Sequence, residues 1–247
     1  MSLLKVSGLT KSFGGVRAVG NVSFEVGAGE LLALIGPNGA GKSTCFNMLN
    51  GQLAPDAGSI EFEGRQIVGL KPRQVWRLGV GRTFQITATF SSMTVRENVQ
   101  VALLSHRGGL RNLWRRARDQ YVADADELLE RVGMKAQADR PCSVLAYGDL
   151  KRLELAVALA NKPRLLLMDE PTAGMAPKER VALMALAAEI VKTDNIGVLF
   201  TEHDMDVVFG QADRVLVLDR GRLIAQGTPE AVRADPRVRA VYLGTAA

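Results

Sequence analysis

The sequence predicts an α/β fold in which a mainly parallel sheet is combined with an antiparallel β part and a helical insertion. Apolar runs of strand length, such as LLALI, RLLLM and RVLVL, alternate with segments of helical periodicity such as PKERVALMALAAEIVK. This alternation is typical of a largely parallel sheet with helices on both faces. Between about residues 86 and 161, Leu, Ala, Arg and Glu dominate and strand patterns disappear, which indicates the helical insertion.

The predicted elements follow from the sequence in chain order. The segments LLKVSGL and NVSFEV are predicted as two short strands around the turn KSFGG, and SIEFEG alternates like a third strand. GELLALIGPNGAGKST combines a buried strand, a glycine-rich loop and the start of a helix. Residues 72–85 hold a short helix followed by the strand VGRTFQ, and the strands RLLLMDE, GVLFTEH and RVLVLDRG follow the insertion.

Composition and charge restrict the class of protein. The chain has 247 residues, 47% of them apolar, and a net charge of +5. These values are typical of a globular domain, and the modest basic excess selects none of nucleotide, lipid headgroup or nucleic acid. The N-terminus has no apolar signal core, and no run approaches the roughly 20 apolar residues that span a bilayer. If the protein serves a membrane, we expect another chain to supply the spanning part.

Two further features have simple interpretations. Cys45 and Cys142 are far apart in the chain and have no metal-ligand spacing, so we expect reduced thiols in the cytosol. The basic stretch RGGLRNLWRRAR, at residues 107–118, is either a solvated amphipathic helix edge or a contact with a partner subunit or lipid headgroups.

The segment GPNGAGKS, at residues 36–43, fits the phosphate-loop pattern G-x-x-x-x-G-K-[ST] in full. It follows a predicted strand and opens a helix, which is the structural context that the motif requires. Glycines let backbone N–H groups turn inward around phosphate oxygens. Lys42 supplies a positive charge to the β and γ phosphates, and Ser43 offers a hydroxyl to Mg²⁺. The alternative is a chance glycine turn.

A second candidate element is the acid pair at the end of the strand RLLLM. Asp169 and Glu170 follow this apolar run directly, so the parallel sheet places them at its carboxyl edge, where ligands bind. Asp169 is suited to holding Mg²⁺, and Glu170 to activating a water that attacks the γ-phosphate. The alternative is an acidic helix start before Pro171.

Three further residues and one segment have no single interpretation when each is considered alone. Phe13 in a glycine turn is consistent with a core residue, and His203 after GVLFTE with a satisfied histidine. Gln85 at a strand end is unremarkable. The glycine-centred segment LAYGD precedes a long helix, and it is either a phosphate-binding loop or a helix cap.

Taken together, the ordered set Phe13, GPNGAGKST, Gln85, LAYGD, LLLMDEP and His203 resembles the nucleotide-binding subunit of ABC transporters. The resemblance covers nearly the whole chain. VGRTFQ, SMTVRENV, LAYGDLKRLELA and the tail GTPEAV…DPRVRAVYLG resemble, more closely, the ATP-binding subunits of branched-chain amino-acid importers. The resemblance implies a P-loop (RecA-like) core with an antiparallel β subdomain at residues 1–85 and 162–235. It also implies a helical subdomain at 86–161 and a C-terminal tail at 236–247, all within a single nucleotide-binding domain.

The resemblance also implies a role for each motif position. Phe13 stacks on adenine, and Asp169 and Ser43 contact Mg²⁺. Gln85 contacts Mg²⁺ or the attacking water and reports to the membrane subunit. Glu170 is the general base, and His203 holds the γ-phosphate and the geometry of Glu170. The phosphates are bound by Gly36, Pro37, Asn38, Gly39, Ala40, Gly41, Lys42, Ser43 and Thr44. The signature loop, which completes the ATP site of a second subunit, consists of Leu145, Ala146, Tyr147, Gly148 and Asp149.

The same resemblance implies partners and a location. Transmembrane permease subunits and a second, identical or similar ATP-binding subunit are direct partners. An extracytoplasmic solute-binding protein takes part indirectly, and nucleic acid is not a partner. The protein is then peripheral, at the cytoplasmic face of the inner membrane, where ATP hydrolysis powers import of a small solute, with branched-chain or related amino acids expected.

The signature loop departs from the usual Leu-Ser-Gly-Gly-Gln of the superfamily. Ala146, Tyr147 and Asp149 replace Ser, Gly and Gln, and Asp149 is the unusual element. We expect its carboxylate to accept backbone N–H bonds from the first turn of the following helix and to repel the γ-phosphate of a closing dimer. The loop Ala173-Gly174-Met175-Ala176 lacks the acid or amide often found at its end.

Other classes remain as alternatives. A GTPase usually carries Asn-Lys-x-Asp, and here Asn161-Lys162-Pro163-Arg164 fails at Arg164. A small kinase, a soluble ABC ATPase that acts on DNA or ribosomes, and an exporter ATPase for a substrate other than an amino acid are further candidates. A purely structural binding module would have no need of Glu170.

Overall fold

The computed structural model describes residues 2–83, 89–107 and 119–243. Gln85 and most of the basic stretch at residues 107–118 lie outside the described residues. The described strands form two sheets, one of six strands and one of four, and several helices contact these strands. The α/β fold class predicted from the sequence is confirmed.

The strands of the six-stranded sheet are β3 (Leu31–Ile35), β6 (Val80–Thr83), β7 (Leu165–Asp169), β8 (Gly197–Thr201), β9 (Arg214–Asp219) and β10 (Arg222–Gly227). Their order in the sheet is β10-β9-β3-β8-β7-β6. All neighbouring pairs from β9 to β6 are parallel, as the alternation of strands and helices predicts. The edge strand β10 was not predicted, and it pairs antiparallel with β9 after a tight turn at Arg220 and Gly221.

The strands of the smaller sheet are β1 (Ser2–Phe13), β2 (Val16–Gly27), β4 (Ala57–Phe62) and the two-residue β5 (Arg65–Gln66). This sheet is antiparallel, with the order β2-β1-β4-β5. Strands β1 and β2 are longer than predicted, because the hairpin pairing continues to Phe13 and Val16 at the tip.

The helices of the central part of the chain are α3 (Val95–Arg107), α4 (Val122–Arg131) and α5 (Tyr147–Leu159). They contact one another, and two 3-10 turns, Lys135–Gln137 and Cys142–Val144, connect α4 to α5. The remaining helices are α1 (Lys42–Leu49), α2 (Pro72–Arg77), α6 (Pro177–Asp194), α7 (Met205–Gln211), α8 (Pro229–Ala234) and α9 (Pro236–Leu243).

Strand β3 divides the core into two layers. Leu31, Ala33 and Ile35 face a cluster that includes residues of α3, α4, α5 and α6. Leu32 and Leu34 face the cluster formed by α1 and the antiparallel sheet. Successive side chains of a strand point to opposite faces, so a run of five buried residues fits a central strand that is covered on both sides.

Both cysteines are buried and free. Burial raises the pKa of the Cys45 thiol to about 12. Within residues 2–83, 89–107 and 119–243, no helix is long and apolar enough to cross a membrane.

Candidate functional site

The phosphate-loop segment lies between the end of β3 and the start of α1, where two glycines come very close to neighbouring backbone. Gly41 has a φ of 106°, and a Cβ atom there would lie 2.4 Å from the carbonyl oxygen of Ala18. A Cβ atom at Gly36 would lie 2.2 Å from the carbonyl oxygen of Leu218. Both distances exclude a side chain, so the glycines permit a tight turn held against β2 and β9.

Lys42 is the first residue of α1, and its ammonium group bonds to its own loop. Nζ donates to the carbonyl oxygens of Gly36 at 2.7 Å and Pro37 at 3.2 Å. Desolvation by burial lowers the pKa of Lys42, and the charges of Glu170 and Asp169 oppose this change. The printed contacts therefore hold the ammonium group within the predicted phosphate loop. The neighbouring Ser43 is exposed.

Asp169 ends β7, and Thr201 stands beside it at the end of β8. The Thr201 hydroxyl donates to Asp169 Oδ1 at 2.9 Å. Arg82, on the other neighbouring strand, forms an ion pair with Asp169 Oδ2 at 3.1 Å. The Arg82 guanidinium also donates to Asn47 and Gln52, which ties the end of α1 to the acid.

Glu170 is held in an unusual backbone conformation. Its φ is 47°, in the left-handed region that non-glycine residues seldom adopt. Its backbone N–H donates to the Thr201 carbonyl and hydroxyl oxygens at 3.2 and 3.0 Å, which fixes this turn. Its Oε1 lies 2.9 Å from Nε2 of His203. The two side chains that the family resemblance assigns to a joint role are thus in direct contact.

Residues of this region that were not identified from the sequence include Arg82, Thr172, Thr201 and Glu202. Thr201 links Asp169 to the backbone of Glu170, and the buried Glu202 accepts hydrogen bonds from Thr172. A polar pair directly after an apolar strand, Thr201-Glu202 after GVLF, was the available signal. Their partners lie about 30 positions away in the chain, so only the pairing of β7 with β8 reveals the contacts.

Phe13 lies at the tip of the β1–β2 hairpin, and its side chain is 49% exposed. Val16, opposite it, is 71% exposed. The same hairpin approaches the phosphate loop through Ala18, and Gly20 N–H donates to the Gly221 carbonyl. An exposed aromatic ring at this position is accessible to a planar ligand and is not a core residue.

The segment LAYGD surrounds the start of α5. Ala146 occupies the N-cap position, and the ring of Tyr147 lies against Gly174. The expectation that Asp149 accepts backbone N–H bonds is wrong: no side chain caps α5 within the described part of the chain. The helix begins two residues before Asp149, whose Oδ2 accepts from Nε2 of Gln137 at 3.1 Å.

The residues at this edge fit a magnesium ion that accompanies a nucleotide. The Asp169 carboxylate and the Ser43 hydroxyl are the hard oxygen donors that Mg²⁺ prefers. Among the residues that the structure describes, no three His, Cys, Asp or Glu side chains form a metal-binding group. Mg²⁺ typically takes one or two protein ligands and completes its shell with water and phosphate oxygens, so a small donor set is sufficient.

Comparisons with known proteins identify the family to which the chain belongs. The ABC transporter family profile matches residues 19–173, and the profile of the branched-chain amino acid ATP-binding cassette transporter family matches residues 222–247. The chain therefore belongs to the ABC transporter family, as a subunit that binds and hydrolyses ATP.

Curated relatives are similar over the full length. The chain is 44% identical to the high-affinity branched-chain amino acid transport ATP-binding protein LivG of Salmonella typhimurium, covering 99% of this chain and 98% of the relative. It is 41% identical to BraF of Pseudomonas aeruginosa, a protein of the same description, with the same coverage. A solved ATP-binding cassette of an ABC transporter in its ADP conformation superposes with a TM-score of 0.89, at 32% identity and with 99% of each chain covered.

Proposed function

We propose that this chain is the ATP-hydrolysing subunit of an importer for branched-chain or related amino acids, and that it works with separate permease subunits. The observation that carries the proposal is the full-length similarity to LivG and BraF, whose names specify branched-chain amino acid transport. The match of residues 222–247 to a profile of the same specificity supports it independently, because this segment lies outside the ATP-binding motifs.

In the proposed reaction, the phosphate loop binds the ATP phosphates and Glu170 acts as general base. The water oxygen forms a bond to the γ-phosphorus, Glu170 takes the proton, and the bond to the bridging oxygen of ADP breaks. The contact of Glu170 with His203, at 2.9 Å, supports a role for His203 in orienting the base. Lys42 neutralises charge on the β and γ phosphates, and Phe13 stacks on adenine.

Ser43, Asp169 and Gln85 would hold Mg²⁺, which supplies charge neutralisation on the phosphate oxygens. In this assignment the Arg82–Asp169 ion pair orients the carboxylate, and Asp169 keeps lone pairs for the ion or its waters. Gln85 is assigned by the resemblance alone.

The proposed assembly contains two ATP-binding subunits and two permeases at the cytoplasmic face of the membrane. Residues 145–149 of each ATP-binding subunit complete the ATP site of the other, and a solute-binding protein delivers the amino acid on the opposite side. In this assignment residues 1–85 and 162–235 form the ATPase core with its β subdomain. Residues 86–161 form the helical subdomain, and residues 236–247 the C-terminal tail.

The test is uptake of radiolabelled leucine in the source organism after deletion of this coding sequence. Uptake should fall, and it should be restored by the wild-type chain but not by Glu170→Gln. Uptake that does not change on deletion, or that the Glu170→Gln chain restores, would refute the proposed function. Labelled lysine is the matched control solute, because its charged side chain distinguishes it from branched-chain amino acids.

A further inference from the structure

Glu202 is a buried carboxylate between the end of β8 and His203. It is 4% exposed. Its Oε1 accepts hydrogen bonds from the backbone N–H and the hydroxyl of Thr172, at 2.8 and 2.6 Å. Its Oε2 accepts from the backbone N–H of His203, at 3.2 Å. The Glu202 side chain thus connects Thr172, which follows Glu170 and Pro171 in the chain, to the backbone of His203.

The chemistry of this contact requires a carboxylate. Three donors face Glu202, and an ionised carboxylate is an acceptor on both oxygens. A glutamine has the same shape, but its NH₂ group would face one of these N–H groups. One donor would then lose its partner in a buried place, which is costly.

A second set of contacts, from Asp204, reaches the far end of the loop at residues 171–176, which also contains Thr172. Asp204 Oδ2 pairs with Arg180 at 2.9 Å, and Arg180 Nε donates to the Met175 carbonyl oxygen at 2.8 Å. The contacts from Glu202 and Asp204 therefore lie on either side of His203 in the chain. Between them, His203 meets Glu170, whose backbone is in the left-handed region.

From these contacts we infer that Glu202 is a positioning residue for ATP hydrolysis: through Thr172 and the His203 backbone, it fixes the distance between His203 and Glu170. The inference rests on the proposed roles of Glu170 and His203. Glu202 itself does not touch the reacting atoms in this assignment. Loss of its contacts should therefore slow the chemical step and leave ATP binding, which depends on the phosphate loop, nearly intact.

The test compares ATP turnover of the purified full-length chain with that of Glu202→Gln. We expect kcat to fall by about 10-fold to 100-fold, by analogy with the loss of an outer hydrogen-bond partner at a metal site, while KM for ATP changes by less than about twofold. Thr172→Val, which removes one donor without changing the shape, should lower kcat in the same direction. Thr172→Ser keeps the hydroxyl and should recover most of the activity. If Glu202→Gln fails to fold, the kcat values of Thr172→Val and Thr172→Ser test the inference instead.

Two controls separate positioning from general stabilisation. Glu97→Gln removes another carboxylate that accepts a backbone N–H, at the start of α3, and should leave kcat near the wild-type value. In a His203→Ala background, Glu202→Gln should cause no further loss of kcat, because its effect passes through His203. An equal loss in both backgrounds, or a kcat of Glu202→Gln within twofold of wild type, would overturn the inference. Absence of ATP turnover in the wild-type chain would instead refute the proposed function.

Discussion

At the scale of single residues, the site depends on side chains that satisfy several neighbours at once. The Thr201 hydroxyl donates to Asp169 and accepts from the backbone of Glu170, so one hydroxyl positions both acids. The left-handed backbone of Glu170 costs about 1–3 kcal/mol, and two hydrogen bonds from its N–H to Thr201 offset part of this cost. The strained backbone thus belongs to the residue proposed as the general base.

Lys42 offers a direct test of the phosphate loop. In Lys42→Ala the phosphates lose a charge-assisted contact worth about 1.5–3 kcal/mol, so the Kd for ATP should rise by about 10-fold to 100-fold. Isothermal titration calorimetry measures this value. Lys5→Ala, which removes an exposed cation from β1, is the control and should bind ATP normally. An unchanged Kd for Lys42→Ala would contradict the assignment of the loop.

At the scale of elements, neighbouring parallel strands bring distant residues to one edge. Strand β7 pairs with β8 so that Asp169 stands opposite Thr201. Glu170 and Glu202 follow these two residues at the carboxyl ends of their strands. Arg82, in β6, reaches the same edge through its ion pair with Asp169. Helix α5 presents the LAYGD segment beside the loop that follows Glu170.

Asp149, in the first turn of α5, allows a test of the proposed ATP-bound dimer. Asp149→Asn keeps an acceptor for Gln137 but removes a negative charge from the surface that would meet the partner's γ-phosphate. With an effective dielectric near 20, removal of this repulsion is worth on the order of 1 kcal/mol, so the ATP-dependent dimer should tighten by about threefold to tenfold.

Analytical ultracentrifugation in the hydrolysis-deficient Glu170→Gln background gives the dimer dissociation constant. Glu127→Gln removes a charge from the exposed face of α4 and is the matched control. If Asp149→Asn dimerises as weakly as its parent, or more weakly, the repulsion argument is wrong, and the role of Asp149 is restricted to holding Gln137.

At the scale of the whole molecule, the sequence predicted the arrangement of strands and helices better than it predicted the side-chain contacts between them. Runs such as LLALI and LLLMD are fully buried strands, because a central parallel sheet is covered on both faces. Edge strand β10 was missed because its residues, RLIAQG, mix exposed and buried positions without a clear alternation. The role of Glu202 was missed for a different reason: its partner Thr172 is 30 positions away, and no local pattern encodes that distance.

The same limit explains the error at Asp149. The sequence LAYGDLKRLELA predicts a helix, but the position of its first residue decides whether an acid caps the backbone or faces outward. The structure starts α5 at Tyr147, which places the carboxylate beside Gln137 of a neighbouring 3-10 turn.

The most direct test of the central claim, that ATP hydrolysis depends on Glu170, is single-turnover hydrolysis by Glu170→Gln, with the Kd for ATP measured on the same sample. Loss of a general base predicts a rate lower by about 10²–10⁴-fold, while the Kd stays within about threefold because the phosphate loop is unchanged. Glu189→Gln, on the exposed face of α6, should hydrolyse ATP at the wild-type rate. A Glu170→Gln protein that binds ATP and hydrolyses it at nearly the wild-type rate would contradict the claim.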